Sequence, residues 1–234
     1  MKNYIFTLLL IGWSFLGNSQ INGKVLYNKA IQLNESNLNI DPDKLRNSVQ
    51  QLTYVLEFTS DYSVFYLEEQ LDSDSDTYAR MAKRIGNSSG VFFKDIKEEF
   101  TLQELSMFNK EFLVRLDIPE FHIAEEVGEI SGFKVLKATG LETAKAPSPG
   151  LKDLEKPVVV WFTPDIPVPY GPGRYNGLPG LILKISVGNV SFTASEIKMN
   201  DNNKAENLIS PDKSKPVITE KEFHEKLRAM VENL

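Results

Sequence analysis

The sequence predicts a mainly β protein: a curved antiparallel sheet, or half-barrel, with a C-terminal amphipathic helix packed on it. Three observations carry this expectation. About eight or more short segments alternate apolar and polar residues, or run apolar between turn formers. Strand-length and helix-length patterns do not alternate as βαβ units would require, so antiparallel pairing is the natural class. One long helical stripe stands at the end of the chain.

The elements follow in order. Ile21 to Tyr27 reads as a strand with Ile21, Gly23, Val25 and Tyr27 on one face. Asn28 to Ser48 is polar and mixed, with Asp41-Pro42-Asp43 as a turn or helix start. Leu52 to Thr59 alternates strongly, Ser60-Asp61-Tyr62 turns, and Ser63 to Leu67 completes a hairpin. Thr77 to Ile85 reads as a short helix closed by Gly86. Val91 to Asp95, Phe100 to Leu105 and Glu111 to Leu116 are three further strands, and Phe121 to Ala124 with Phe133 to Ala138 form another pair. Ala144 to Lys156, with Pro147, Pro149 and Gly150, reads as an exposed connection. Val158 to Thr163 has the composition of a buried strand. Leu181 to Ser186 and Val190 to Ala194 form a hairpin through Gly188-Asn189. Thr219-Glu220-Lys221-Glu222 is a capping box. The helix after it stacks Phe223, Leu227, Met230, Val231 and Leu234 on one stripe, the pattern of a helix docked on a sheet.

Composition bounds the function. The chain has 234 residues, 41% hydrophobic and 25% charged, enough for one domain with a core of its own. Residues 1–19 read as a cleaved signal peptide and 20–234 as that single domain. Lys2 precedes the apolar run Ile5 to Leu16, and Gly17-Asn18-Ser19 offers small residues before a cut at Gln20. No later run is long enough for a transmembrane segment. Removing residues 1–19 takes away one Lys and no acid. The formal charge therefore moves from −6 to −7, with 25 basic against 32 acidic residues. That charge argues against nucleic acid as a partner. There is no Cys, so disulfides, thiolate metal sites and cysteine nucleophiles are all excluded.

Several short motifs fail on context. Asp72-x-Asp74-x-Asp76 opens like a calcium loop, but Thr77 and Lys83 stand where Gly and Glu are needed. Gly86-Asn87-Ser88-Ser89-Gly90 matches GxSxG. The nucleophile elbow needs a strand before the serine and a helix after it, and this chain offers the reverse. Ser195-x-x-Lys198 follows a strand rather than opening a helix. His122 and His224 are isolated and propose no metal or cofactor.

The most restricted stretch is Pro164 to Pro179, with prolines at 164, 167, 169, 172 and 179. Each fixes φ and lacks an N–H, so a strand cannot run through. The segment is expected to run extended, to turn at Asn176-Gly177, and to use Gly180 after Pro179 as in a type II turn. Trp161, Tyr170, Arg174 and Tyr175 decorate this track. They cap the sheet core or form a preformed binding surface, with aromatic area and a guanidinium for an anion.

At these residues the chain resembles the GLPGLI family, whose name is spelled by Gly177, Leu178, Pro179, Gly180, Leu181 and Ile182. Trp161-Phe162-Thr163-Pro164-Asp165-Ile166-Pro167 resembles the family's W-[YF]-T-x-x-I-P run, and Gly171-Pro172 its GP step. Ile130 to Ala138 resembles its I-x-G-[YF]-x-C-x-K-A strand, with Val135 in place of the Cys. The resemblance implies an exported protein of the Gram-negative periplasm or cell envelope and no established activity, so no catalytic residues carry over. The functional expectation is a non-enzymatic envelope accessory protein. It would bind an apolar or amphipathic ligand, or a partner protein, in the concave face of the sheet; a lipid, a peptide or an outer-membrane protein fits that description. The alternatives are a serine hydrolase using Ser88 with His122 or His224, and a purely structural partner of an outer-membrane complex.

Overall fold

The first strand already shows what the sheet wraps around. β1 (Gly23–Ile31) buries Gly23, Val25, Tyr27, Lys29 and Ile31, every second residue. The apolar alternation ending at Tyr27 is thus continued by Lys29 and Ile31, and the strand runs past its expected end. The structure is a computed structural model and describes residues 21–33, 40–68, 76–87, 90–107, 110–144, 152–200 and 208–231. The N-terminal segment read as a signal peptide lies outside them, as do Asp72, Asp74, Ser88 and Leu234.

Asp41 caps α1 (Pro42–Gln50): its Oδ1 accepts from the Asp43 and Lys44 amides, and Pro42 opens the first turn. A helix therefore sits inside the segment expected to be polar and mixed. β2 (Thr53–Phe58) and β3 (Tyr62–Leu67) form the expected hairpin. α2 (Thr77–Asn87) starts at Asp76, whose Oδ1 accepts from the Tyr78 amide. It continues through Gly86 rather than stopping there.

β4 (Val91–Asp95), β5 (Phe100–Met107) and β6 (Lys110–Asp117) extend the meander. β7 (His122–Ile130) and β8 (Phe133–Ala144) are longer than the alternation suggested. β7 runs through Glu125 and Glu126 because it is an edge strand that leaves both in water. β9 (Leu154–Thr163) begins inside the stretch read as a connection, paired with β8 from Leu154 onward. β10 (Leu181–Val187) and β11 (Val190–Met199) are the expected hairpin. β12 (Val217–Thr219) was not legible from three residues; it pairs parallel to β6 and leads into α3 (Glu220–Val231). The capping box of α3 is formed: Glu222 accepts from the Thr219 amide at 2.7 Å and Thr219 Oγ1 from the Glu222 amide at 3.2 Å.

Among the described residues twelve strands form one sheet in the order β12-β6-β5-β4-β3-β2-β1-β11-β10-β9-β8-β7, not closed into a barrel. The order fixes its curvature. β6 and β7 are ten interstrand steps apart, about 48 Å in a flat sheet. Five residue steps, from Asp117 to His122, span at most about 18 Å. The sheet must therefore curl until its edges nearly meet, which is the half-barrel the sequence predicted. The link passes close to β8: a Cβ on Gly140 would lie 2.6 Å from the Glu120 carbonyl oxygen.

The curl encloses one large apolar cluster. It draws on β1 to β6, β8, β10, β11, both N-terminal helices and the proline loop, through residues such as Tyr27, Leu45, Tyr54, Phe65, Val114 and Tyr170. A second cluster, with Ala138, Val160, Phe162, Leu178 and Ile182, lies under the loop. The concave face expected to hold a ligand is thus occupied by aromatic side chains, α1 and α2.

The buried phenols give the fold a defined alkaline limit. Burial pushes the Tyr27, Tyr54, Tyr62, Tyr170 and Tyr175 hydroxyls far up, and burial followed by the Glu57 charge pushes Tyr66 up to about 12. A folded pKa raised above the ordinary 10.0 means that the unfolded chain releases protons first. The contribution is fully present below about pH 10 and is lost as pH rises through the folded values. Phenolate absorbance and near-UV circular dichroism should therefore change together, beginning above about pH 10. Free ionisation of all tyrosines near pH 10, with the fold intact, would contradict this placement of the phenols.

Candidate functional site

The proline loop between β9 and β10 is held by its carbonyls, since its prolines cannot donate. Ile166 O accepts from the Val168 and Leu181 amides, Pro169 O from Gly177, and Tyr170 O from Ile182 at 2.9 Å. The loop is folded back onto the entry of β10. Its last turn is a tight one, with the Gly180 amide on the Leu178 carbonyl at 2.8 Å. Gly180 has φ +159°, close to fully extended. Glycine is required there by close approach rather than by the left-handed φ of a type II turn. Asn176 is buried, and its Nδ2 donates to Thr101 Oγ1 at 2.8 Å and to the Arg174 carbonyl at 2.9 Å.

The four side chains expected on this track separate. Tyr170 is fully buried in the core, its hydroxyl on the Ser60 carbonyl at 3.3 Å. Trp161 is half-buried on β9, with Lys137 Nζ 5.9 Å from its ring centroid. Arg174 reaches out of the loop to clamp two other elements. Its Nε and Nη2 donate to the Asp117 carbonyl at the end of β6, at 3.2 and 2.7 Å. Its Nη1 and Nη2 donate to both carboxylate oxygens of Glu220 at the start of α3, at 2.8 and 3.2 Å. The guanidinium fork is largely spent inside the protein. The Tyr175 hydroxyl donates to Glu142 on β8.

Arg174 and Tyr175 thus reach one place, the seam where the curled sheet fails to close. A cleft of about 580 Å³ lies there, lined by the β6–β7 link, the end of β8, Arg174 and α3. Ile118, Pro119 and Leu141 give it an apolar strip. Leu141 is 65% exposed, unusual for a strand residue of its size. Glu142, Glu220 and Glu225 oppose Arg174, Lys221 and His224 around it. His224 Nε2 is 4.0 Å from Glu220. β8 continues past its last pairing with β7 at Thr139. Among the described residues, 141–144 pair only with β9.

Apart from Arg174, Tyr175 and His224, and Glu220 and Lys221 as part of the helix cap, these residues were not singled out in the sequence. They come from separate segments spread between Asp117 and Arg228, brought together only by the curl. A local signal in the sequence is the apolar pair Ile118-Pro119 before the acidic β7, half-buried in the structure. Of the residues in the serine hydrolase alternative, Ser88 lies outside the described residues, His122 is exposed on β7 and His224 lines the seam. Ser195 lies in β11 and donates to the Leu26 carbonyl at 3.2 Å, while Lys198 pairs with Glu196. Among the described residues no three His, Cys, Asp or Glu side chains are placed to hold a metal ion. No helix among them is long and apolar enough to cross a membrane.

β9, the proline loop and the first residues of β10 form one continuous stretch of the chain. A known family shares it. The model of a bacterial family described as a protein of unknown function, Porph_ging, matches residues 151–184. In solved structures the fold is similar to part of PNGF-II, crystallised in space groups C2 and P21. The TM-scores are 0.51 and 0.52 at 17% identity, over 89% of this chain. The chain spans about a third of the length of PNGF-II, 32 and 33% in the two crystals. At this identity the likeness concerns the fold alone. The Mycobacterium tuberculosis lipoprotein LppX aligns over 82% of this chain and 89% of its own at 10% identity, but with a TM-score of 0.27, too low to relate the folds. No curated protein matches the chain in sequence.

Proposed function

We propose that this is an exported accessory protein of the Gram-negative cell envelope, a member of the GLPGLI family, that binds an amphipathic ligand or a partner protein and has no chemistry of its own. The N-terminal pattern from Lys2 to Ser19 supports export, and the Gly177–Ile182 stretch inside a matched bacterial family supports the family reading. The observation that carries the binding role is the seam cleft. It combines an apolar strip with charges of both signs and an unshared stretch of strand edge, a combination suited to an amphipathic molecule or an extended peptide. The site we favour is therefore the seam and not the filled concave face.

The test is native purification from a Gram-negative host, expressing the chain with its own N-terminal segment. The mature protein should begin at Gln20, and mass spectrometry of the native preparation should show a co-purifying lipid or peptide. The Leu141→Glu variant, altered at an exposed position, should melt like the wild type and recover less of that molecule. Protein that arrives without any bound molecule, and that cross-links to no envelope partner, would remove the proposal.

A further inference from the structure

The two sides of β8 differ in chemistry where it borders the seam cleft. β7 follows β8 as far as the pair of His122 with Thr139, and Leu141, Glu142 and Thr143 then line the cleft. Successive residues of a strand point to opposite faces. Exposed Leu141, with exposed Pro157 across from it on β9, makes one face of this stretch apolar. Glu142 makes the other face acidic. Its Oε2 accepts from the Tyr175 hydroxyl, and a carboxylate accepts more than one hydrogen bond. Lys156, across from Glu142 on β9, does not reach for it along the cleft. The stem of Lys156 lies against Gly188, its Cδ 3.4 Å from where a Cβ would stand there.

The charge around the cleft has the sign of Glu142. Among the described residues that line it, Asp and Glu number five and Arg and Lys three, a formal −2 (three against five) with His224 left aside. Arg174 is already held by Glu220. Lys221 lies 4.0 Å from Glu225, at the limit of an ion pair, and the Glu225 side chain is 62% exposed. We infer that the occupant of the seam is an extended basic segment of a partner protein, laid beside Leu141 to Thr143. Its alternate side chains are apolar against Leu141 and cationic toward Glu142 and Glu225. An extended chain divides its side chains between two faces in this way, and its backbone can pair with a strand edge as it does so. An acyl chain has no such alternation, and an anionic head group would meet charge of its own sign. The inference rests on the seam being the binding site, as proposed above, and narrows what that site takes.

Three probes on the mature protein test it: a short labelled peptide in which Lys alternates with Val and Thr, the same peptide with Glu in place of Lys, and phosphatidylglycerol vesicles. Anisotropy reads the peptides and co-sedimentation the vesicles. The Lys peptide should bind at least about tenfold tighter than the Glu peptide, the effect of a few exposed charge pairs changing sign. This ratio needs no variant. Glu225→Lys, at an exposed position, should weaken the Lys peptide at least about threefold. Leu141→Thr, which keeps a strand-forming residue and loses apolar area, should do the same. Glu196→Lys lies on β11, three strands from β8, and changes the total charge equally. It should leave the affinity within about twofold, because attraction by net charge alone is screened by salt. The inference is overturned if the Lys peptide does not bind, if the Glu peptide binds as tightly, or if Glu196→Lys weakens binding as much as Glu225→Lys. Binding of the Glu peptide or the vesicles that is lost in Leu141→Thr would overturn it and leave the seam as the binding site. No binding of any probe, with no co-purifying molecule lost in Leu141→Glu, would remove both.

Discussion

Gly180→Val is expected to cost more than about 5 kcal/mol, enough to leave little folded protein from a domain of ordinary stability. An added Cβ would lie 2.2 Å from the Thr163 carbonyl oxygen, 2.6 Å from its carbon and 3.0 Å from the Pro164 Cα. These are backbone atoms, held by the first β9–β10 pair, Leu181 with Thr163. They cannot rotate away as a side chain could. Relief would mean separating β9 from β10 where the loop folds back, and Leu181 and Ile182 are both fully buried there. Gly132→Ala is the control. Its φ of +81° lies in the left-handed region, but nothing lies within 4 Å of the added carbon. That change should cost only about 1–2 kcal/mol, the ordinary penalty for the conformation. Urea melts of the two variants decide between close approach and backbone conformation. A Gly180→Val protein that melts like the wild type would mean that the loop is not built this way.

Phe65→Ala should cost about 3–5 kcal/mol. Its ring is 3% exposed and meets four others from four strands. It stacks on Tyr54 at 5.7 Å and 8°, stands edge-on to Tyr27 at 6.1 Å and to Phe192 at 5.8 Å, and tilts to Phe92 at 6.3 Å. No smaller neighbour can move in, because the partners are themselves rigid rings on paired strands. The lost volume therefore stays as a cavity. In a domain of this size the loss lowers the melting temperature by roughly 6–20 °C. Phe65→Leu, which keeps most of the volume, should lose less than half as much. A small effect of Phe65→Ala would mean that the interior is loosely filled and that the concave face has room for a ligand after all.

How much of this was legible varies by element, for identifiable reasons. The β2–β3 and β10–β11 hairpins, β4 and the cap of α3 could be read from a few adjacent residues, because alternation, Gly188-Asn189 and Thr219-x-x-Glu222 are local signals. β7 was underestimated because an edge strand needs no apolar face, and Glu125 and Glu126 look like loop residues in isolation. β12 is three residues held by a partner a hundred positions away. Among the candidate site residues, Arg174 and Tyr175 were found by their place on a rigid loop. Their partners Asp117 and Glu142 carry no local mark, and Glu220 is marked only as part of the helix cap.

By itself the sequence determined the β class, the single curled meander's turns and caps, and the special status of the proline loop. These depend on φ restriction, on hydrogen-bond capacity and on which residues alternate, all properties of neighbours in the chain. Only the tertiary structure decided that the concave face is filled, that Arg174 is a clamp and not a free cation, and where the seam lies. Those outcomes depend on where a ten-step sheet meets its own edge after curling. That is set by strand order, which no short stretch of residues encodes.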